Sequence, residues 1–137
     1  MCGVLFFMLY TGVKAYQSVL VMAEAENAAR EFAQDILLVR ERALAGNDLG
    51  YIELNSGRKG YWVYRRPNLL DKKRGFASAG SAALRFSSIP SYVIRFSING
   101  VPSTSGTYVL QHERFSSVQV HVSLQPVTGR VLIERAW

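Results

Sequence analysis

Hydrophobic residues recur at two different spacings along the chain, and the change of spacing divides it into two parts. Before Gly46 they return every three or four positions, which is typical of one face of a helix. No proline or glycine interrupts residues 13–45, and Gly46 with the two polar residues after it is a stop signal. The pattern predicts one helix of about 40 residues, about 60 Å long. Its stripe toward the rest of the protein is expected to contain Ala25, Ala29, Phe32, Ile36 and Val39.

The start of this helix differs in character from its end. Residues 1–13 carry no charged side chain, and a second apolar run follows Lys14. Because about 20 apolar residues are needed to cross a bilayer, we interpret residues 1–22 as part of a membrane helix or fibre-core helix, and residues 23–46 as its amphipathic half. A core helix of a soluble protein is the alternative. The side chains expected to face lipid or neighbouring helices are Val4, Leu5, Phe6, Phe7, Leu9 and Val13.

After Gly50 the spacing of the apolar residues changes to two. Such alternation is typical of antiparallel strands that have one covered face. The predicted strands are 52–54, 61–64, 92–98, 107–113, 118–124 and 131–133, with loops at 67–68, 87–91 and 102–106. The sequence therefore predicts an α+β fold, in which one long helix packs on an antiparallel β-sheet head formed by residues 47–137.

The charge is distributed as unevenly as the hydrophobicity. Residues 1–46 hold four basic and five acidic side chains, a net charge of −1. The remaining residues hold twelve basic and five acidic side chains, a net charge of +7. A basic surface attracts anionic partners such as nucleic acid or lipid headgroups, but it does not select among them. The head is therefore the part with which an anionic partner would interact.

Seven of the basic residues lie between positions 58 and 74, interleaved with Tyr61, Trp62 and Tyr64. Basic and aromatic side chains together can hold a nucleic-acid strand through its phosphates and bases. The alternative is a solvated hairpin and loop whose aromatic side chains pack on the helix, because one face of such a strand is core. If DNA is a partner, the candidate contacts are Lys72, Lys73, Arg74, Arg130 and Arg135.

The residues that could support catalysis or metal binding are few and scattered. Cys2 is the only cysteine, so no intramolecular disulfide can form. His112 and His121 lie in predicted strands without a nucleophile motif nearby, and the spacing of histidine and cysteine matches no zinc site. We find no glycine-rich phosphate loop. The sequence therefore predicts a protein that is not an enzyme and has no cofactor.

Several segments, taken in order, resemble the minor type IV pilins and type II secretion pseudopilins of the GspH/FimT type. The first is the two-part helix, in which residues 28–36 and the residues that follow up to Ala45 are similar to the helix-to-head segment of that family. The second is the C-terminal pattern of residues 94–96, Gly100, residues 106–110 and residues 128–131. Competence pseudopilins share this layout.

The resemblance implies a structural subunit that helps initiate or cap a fibre and binds other pilins or pseudopilins through its N-terminal helix. It implies a single-pass protein of the inner membrane before assembly, with the head outside the cytoplasm, and then an extracytoplasmic fibre. By comparison with the family, about eight further helix residues are expected before Met1. The alternative function is DNA uptake. The DNA-binding members carry a second arginine where this chain has Leu132, and Arg135 is the candidate substitute.

Overall fold

The structure, a computed structural model, describes residues 2–46, 50–66, 69–76, 84–115 and 117–136, and the helix side chains from position 19 onward. Within these ranges it contains one long helix, followed by strands and turns. This helix has 43 residues, so the prediction of a single helix of about 40 residues is confirmed.

Helix α1 (Cys2–Leu44) ends at the glycine that the sequence indicated. Gly46 has a φ of 72°, a left-handed conformation that glycine adopts without steric cost. Its N–H donates to the carbonyl of Ala43 at 3.1 Å, and the N–H of Ala45 donates to Glu41 at 2.9 Å. Two carbonyls of the last turn are thereby satisfied, and the chain leaves the helix toward the first strand.

The described residues form two four-stranded sheets, and every pair of neighbouring strands is antiparallel. The first sheet has the strand order β3-β2-β1-β5, and the second has the order β4-β6-β7-β8. The α+β prediction is confirmed, with two sheets where one was expected. The strands are β1 (Tyr51–Leu54), β2 (Gly60–Arg66), β3 (Leu69–Gly75), β4 (Leu84–Ser88), β5 (Val93–Arg95), β6 (Gly106–His112), β7 (Gln119–Leu124) and β8 (Val131–Arg135).

Both sheets direct alternate side chains toward α1, and the core lies between the helix and the two sheets. In the first sheet Ile52 pairs with Val63, and in the second Tyr108 pairs with Val122; all four are fully buried. Directly opposite residues of an antiparallel pair lie on the same face, so each pair extends the covered face across two strands. The helix contacts strands of both sheets, and it therefore closes the core from one side.

Strand β3 was not predicted, because its sequence is mostly charged. It pairs with β2 over its length, with irregular register around Tyr64, so the loop that the alternative interpretation expected is a strand. Its side chains are exposed or half-buried, as that interpretation expected. Arg74 lies opposite Tyr61, and Lys73 opposite Trp62. Charged residues are common on edge strands, where they discourage pairing with other chains. The C-terminal end of the basic run, Lys72 to Arg74, is therefore part of the first sheet.

Two predicted strands differ from the observed ones at their ends. The alternation of residues 92–98 predicted one strand with Ile98 on its covered face, but β5 ends at Arg95 and Ile98 is 63% exposed. A turn that places Gly100 at a φ of 77° interrupts the pattern. On β8, which is an edge strand of the second sheet, Ile133 is 40% exposed.

Candidate functional site

The stripe of α1 that faces the head is its best-packed surface. Phe32 lies at its centre, with ring centroids 5.0 Å from those of Tyr61 and Phe86 and 5.4 Å from that of Tyr108. Tyr61 belongs to the first sheet and the other two to the second, so one helix residue joins both sheets. The five residues expected in this stripe are all buried, and three more are buried beside them: Ala25, Ala29, Phe32, Ile36 and Val39, with Val21, Ala33 and Ala43.

One flank of α1 is acidic and is covered by the basic strand β3. Asp35 is 3% exposed, and it accepts a 2.6 Å hydrogen bond from the Tyr61 hydroxyl and a 3.2 Å bond from Nε of Arg74. Arg74 also forms a 2.8 Å ion pair with Glu31, and the Lys72 ammonium lies 3.9 Å from Asp35. Burial would lower the pKa of Arg74, but its hydrogen bond to Asp35 and the charges of both carboxylates raise it overall. The pairing holds β3 against the helix.

The other flank of α1 carries Glu26, which is bound from two sides. Arg30, one turn further along the helix, lies 2.6 Å from its carboxylate, and Arg135 of β8 lies 2.8 Å from the same oxygen. The hydrogen bond from Arg135 lowers the pKa of Glu26. The favourable i,i+4 order of Glu26 and Arg30 in the sequence thus corresponds to an ion pair that the head completes.

The two flanks lie on opposite sides of the helix. Glu26 and Asp35 are nine residues apart, which at about 100° per residue is about two and a half turns, so the two side chains point in opposite directions. The candidate DNA contacts are therefore divided: Lys72 and Arg74 lie beside Asp35, and Arg135 lies beside Glu26. The structure does not bring the two sets together. Of the remaining candidates, Lys73 is exposed on the first sheet, and Arg130 is exposed in the turn before β8.

The aromatic residues of β2 do not share one face. Tyr61 points into the core, whereas Trp62 and Tyr64 lie on the outer face of the first sheet. Tyr64 stacks on Tyr51 at 4.7 Å, and the guanidinium of Arg95 lies 4.7 Å from the Tyr51 ring centroid. Because β1 lies between β2 and β5, Tyr51 is held between these two neighbours. These contacts of Tyr51 with Tyr64 and Arg95 stabilise the sheet across three strands, and they occupy the ring faces of Tyr51.

The two histidines have structural surroundings. His112 is buried, and its Nδ1 accepts hydrogen bonds from the backbone N–H groups of Arg114 and Phe115 at 3.1 and 3.2 Å. These bonds hold the turn after β6. His121 lies on β7 with Nε2 3.5 Å from the Gln119 side-chain oxygen. Within the described ranges, no three or more histidine, cysteine or acidic side chains are grouped so that they could hold a metal ion.

The pilin resemblance is matched by a solved structure. The crystal structure of the type IV minor pilin FimU from Pseudomonas aeruginosa (strain PAO1) is similar to this chain, with a TM-score of 0.67. The two sequences are 19% identical, and the match covers 82% of this chain and 89% of the FimU chain. The fold is that of a type IV minor pilin. No protein-family model and no curated protein sequence matches this chain.

In this minor-pilin fold, the part of α1 before position 19 is described by its backbone alone. The backbone is helical from Cys2 onward. Among the described residues, no helix combines the length and the apolar character that crossing a bilayer requires. The side chains expected to face lipid or neighbouring helices lie outside the described ones: Val4, Leu5, Phe6, Phe7, Leu9 and Val13.

Sequence analysis missed the contact between Tyr61 and Asp35 on the head side of this fold. Asp35 precedes Ile36 of the apolar stripe, and an acidic residue in that position is usually solvated. A signal was present in retrospect, because a core-facing tyrosine in a β-strand needs a partner for its hydroxyl. Which acceptor meets that hydroxyl depends on how α1 and β2 cross, and periodicity does not specify this.

Proposed function

We propose that this chain is a non-catalytic minor pilin or pseudopilin subunit that helps initiate or cap a type IV pilus-like or type II secretion pseudopilus fibre. The supporting observation is the length of α1 compared with the part that the head covers. The helix starts at Cys2, yet among its described side chains the first buried one is Val21, and Val19 and Leu20 are exposed. At 1.5 Å per residue, about 25 Å of helix precedes Val19.

The sequence of this first part suits two successive environments. Its apolar residues would contact lipid in the inner membrane before assembly, with the head outside the cytoplasm. In a fibre, the same residues would contact neighbouring pilin helices instead of lipid. The stripe that begins at Val21 stays under the sheets in both states, because it is already buried in the head. Movement between membrane and fibre therefore requires no unfolding.

The test uses the full chain in its native host. Fibres are sheared from the cells, and the chain is detected in the fibre fraction and in the membrane fraction. We expect the wild-type chain in both fractions, and we expect a variant that lacks residues 2–18 to be absent from the fibres while its head stays folded. Leu37→Ala, at an exposed position of the same helix, is the control and should enter fibres normally. Entry of the deletion variant into fibres would contradict the proposal.

DNA binding during uptake is the second proposed function, and a narrower observation favours it. Lys73 and Arg130 are exposed, and the residues after position 46 carry a net charge of +7. Arg74 and Arg135, in contrast, are bound to carboxylates of α1. A DNA contact would therefore depend first on Lys73 and Arg130.

A further inference from the structure

A cavity lies at the end of the head where the uncovered part of α1 begins. It has a volume of about 320 Å³, and it lies between α1 and the turn that follows β6. Leu20 is 43% exposed and Arg114 is exposed as well, so the cavity opens to the outside of the head. We call it the base cavity. Its lining residues are Leu20, Val21, Glu24, His112, Arg114 and Phe115.

The polar side chains of the base cavity offer opposite kinds of contact. Arg114 provides a guanidinium with five N–H donors, whereas the half-buried Glu24 provides a carboxylate that only accepts. Nδ1 of His112 accepts two backbone N–H groups, so the neutral ring carries its hydrogen on Nε2, which is a further donor. Within the described part of the chain, the side chains of Glu24 and Arg114 form no hydrogen bond or ion pair.

Apolar side chains adjoin these polar groups in the base cavity. Val21 belongs to the core, and Phe115 packs against the core with its ring centroid 5.4 Å from that of His112. The exposed Leu20 extends the apolar lining toward the uncovered part of α1. A ligand that satisfies the whole cavity therefore carries an anionic group, a cationic group with N–H donors, and an apolar part.

The position of the base cavity along α1 indicates where such a ligand is found. The uncharged stretch of the sequence ends just before Lys14, and Leu20 lies six residues further on, about 9 Å along the helix. In the membrane-anchored state of the proposed function, Lys14 marks the end of the hydrocarbon region. The headgroup layer on one side of a bilayer is about 5–8 Å thick. The base cavity then opens at the outer surface of this layer.

We infer that the base cavity binds the headgroup of a zwitterionic phospholipid that carries a primary ammonium group, as phosphatidylethanolamine does. The phosphate accepts hydrogen bonds from Arg114 and from Nε2 of His112, and the ammonium donates to Glu24. The glycerol and the first acyl carbons cover Leu20 and Phe115. The inference rests on the membrane-anchored state of the proposed function, and it adds to that state a contact between the head and one class of lipid.

Titration of the full chain in a non-ionic detergent with short-chain phospholipids tests this inference, followed through the NMR signals of the Arg114 and Phe115 amides. Dihexanoyl phosphatidylethanolamine should bind saturably and about tenfold more tightly than dihexanoyl phosphatidylcholine, whose quaternary ammonium has no N–H to donate. Glycerophosphoethanolamine, the same headgroup without acyl chains, should bind about tenfold more weakly than the lipid, because the apolar lining stays uncovered. Equal affinity for the two phospholipids would overturn the inference, and so would equal affinity for the headgroup alone.

Two substitutions separate the roles of the charged residues. Glu24→Gln should remove the preference for phosphatidylethanolamine and leave the affinity for phosphatidylcholine unchanged. Arg114→Gln should weaken the binding of both lipids about tenfold, because both carry the phosphate. Glu41→Gln and Arg95→Gln, at exposed positions outside the cavity, are the matched controls and should bind both lipids like the wild type. A Glu24→Gln variant that kept the lipid preference would overturn the inference.

Folding and fibre entry are checked separately from lipid binding. The Glu24→Gln and Arg114→Gln variants should unfold at the wild-type temperature, because neither side chain has a partner within the described residues. Recovery of the wild-type chain in sheared fibres without any lipid preference would overturn this inference and leave the proposed function standing. A clear lipid preference together with absence from fibres would contradict the fibre role and support the lipid contact.

Discussion

The hydroxyl of Tyr61 donates a 2.6 Å hydrogen bond to Oδ2 of Asp35, and this bond joins β2 to α1 inside the head. Asp35 is buried, and a buried carboxylate is tolerated when hydrogen bonds and a cation satisfy it. Arg74, at 3.2 Å, supplies the cation. Tyr108 lies nearby in the same core, but its buried hydroxyl has no hydrogen-bond partner in the described part of the chain.

This difference predicts opposite results for the same substitution at the two tyrosines. Tyr61→Phe should lower the free energy of unfolding by about 1–3 kcal/mol, because it removes a donor from a buried carboxylate. Tyr108→Phe should leave the free energy unchanged or raise it, since it removes an unsatisfied hydroxyl. Both are measured by chemical denaturation of the full chain in mild detergent. Equal destabilisation by the two variants would show that the hydroxyl of Tyr108 is also bonded.

The same tyrosines predict how stability depends on pH. Burial, together with the charge of Asp35, raises the pKa of Tyr61 far above its ordinary value, and burial raises the pKa of Tyr108 to about 12. Because these pKa values are higher in the folded state than in the unfolded state, their contribution is fully present below about pH 10 and is lost as the pH rises further.

We therefore expect the free energy of unfolding to fall between about pH 10 and pH 12, and to fall less in the Tyr61→Phe/Tyr108→Phe double variant. Denaturation curves recorded over this range measure the difference. Tyr92→Phe, at an exposed position, is the control and should follow the wild-type curve. If the double variant lost stability as steeply as the wild type, the two buried phenols would not be responsible.

Phe32 is expected to contribute more to stability than any exposed residue of α1. It is fully buried and contacts aromatic rings from both sheets. Phe32→Ala should cost about 3–5 kcal/mol, since it removes a large apolar side chain and leaves a cavity. Leu37→Ala, at a 41% exposed position of the same helix, should cost less than about 0.5 kcal/mol. A loss below that limit for Phe32→Ala would mean that α1 does not hold the head together.

The DNA hypothesis now predicts that Lys73 of the first sheet and Arg130, in the turn before strand β8 of the second sheet, act separately. Non-specific binding with a dissociation constant of about 10⁻⁴–10⁻⁶ M should weaken steeply with salt. If one of these two residues carries the contact, its replacement by alanine should flatten the salt slope by about one unit, and replacement of the other should leave the slope unchanged. Fluorescence anisotropy with duplex DNA measures both slopes. No binding at about 50 mM salt would exclude the DNA hypothesis.

Arg74 provides a further control in that experiment. Its side chain is bound to Glu31 and Asp35, so Arg74→Ala should lower the free energy of unfolding and leave the salt slope of DNA binding unchanged. The expected cost is about 1–3 kcal/mol, because the buried carboxylate loses a charged donor. A flatter salt slope with unchanged stability would show instead that Arg74 contacts DNA and not the helix.

The sequence alone determined the elements whose residues repeat regularly. Apolar residues spaced three or four positions apart share one face only if the segment is a helix, and this spacing predicted α1. Gly46 marks the end of the helix, because glycine adopts a positive φ without strain. Strands with alternating apolar residues, such as β6 and β7, were predicted for the same reason. Strand β3 was not predicted, because a charged edge strand is held by backbone hydrogen bonds and has no buried apolar face that would show in the sequence.

The tertiary structure decided which distant residues meet. The buried Asp35 with Tyr61, the division of the basic residues between two flanks, and the cavity between α1 and the turn after β6 all depend on how the sheets cross α1. Hydrophobic periodicity specifies which side of an element is covered, but not which polar group of another element lies opposite. That pairing follows from the crossing of helix and sheets, which forms only when the whole core packs.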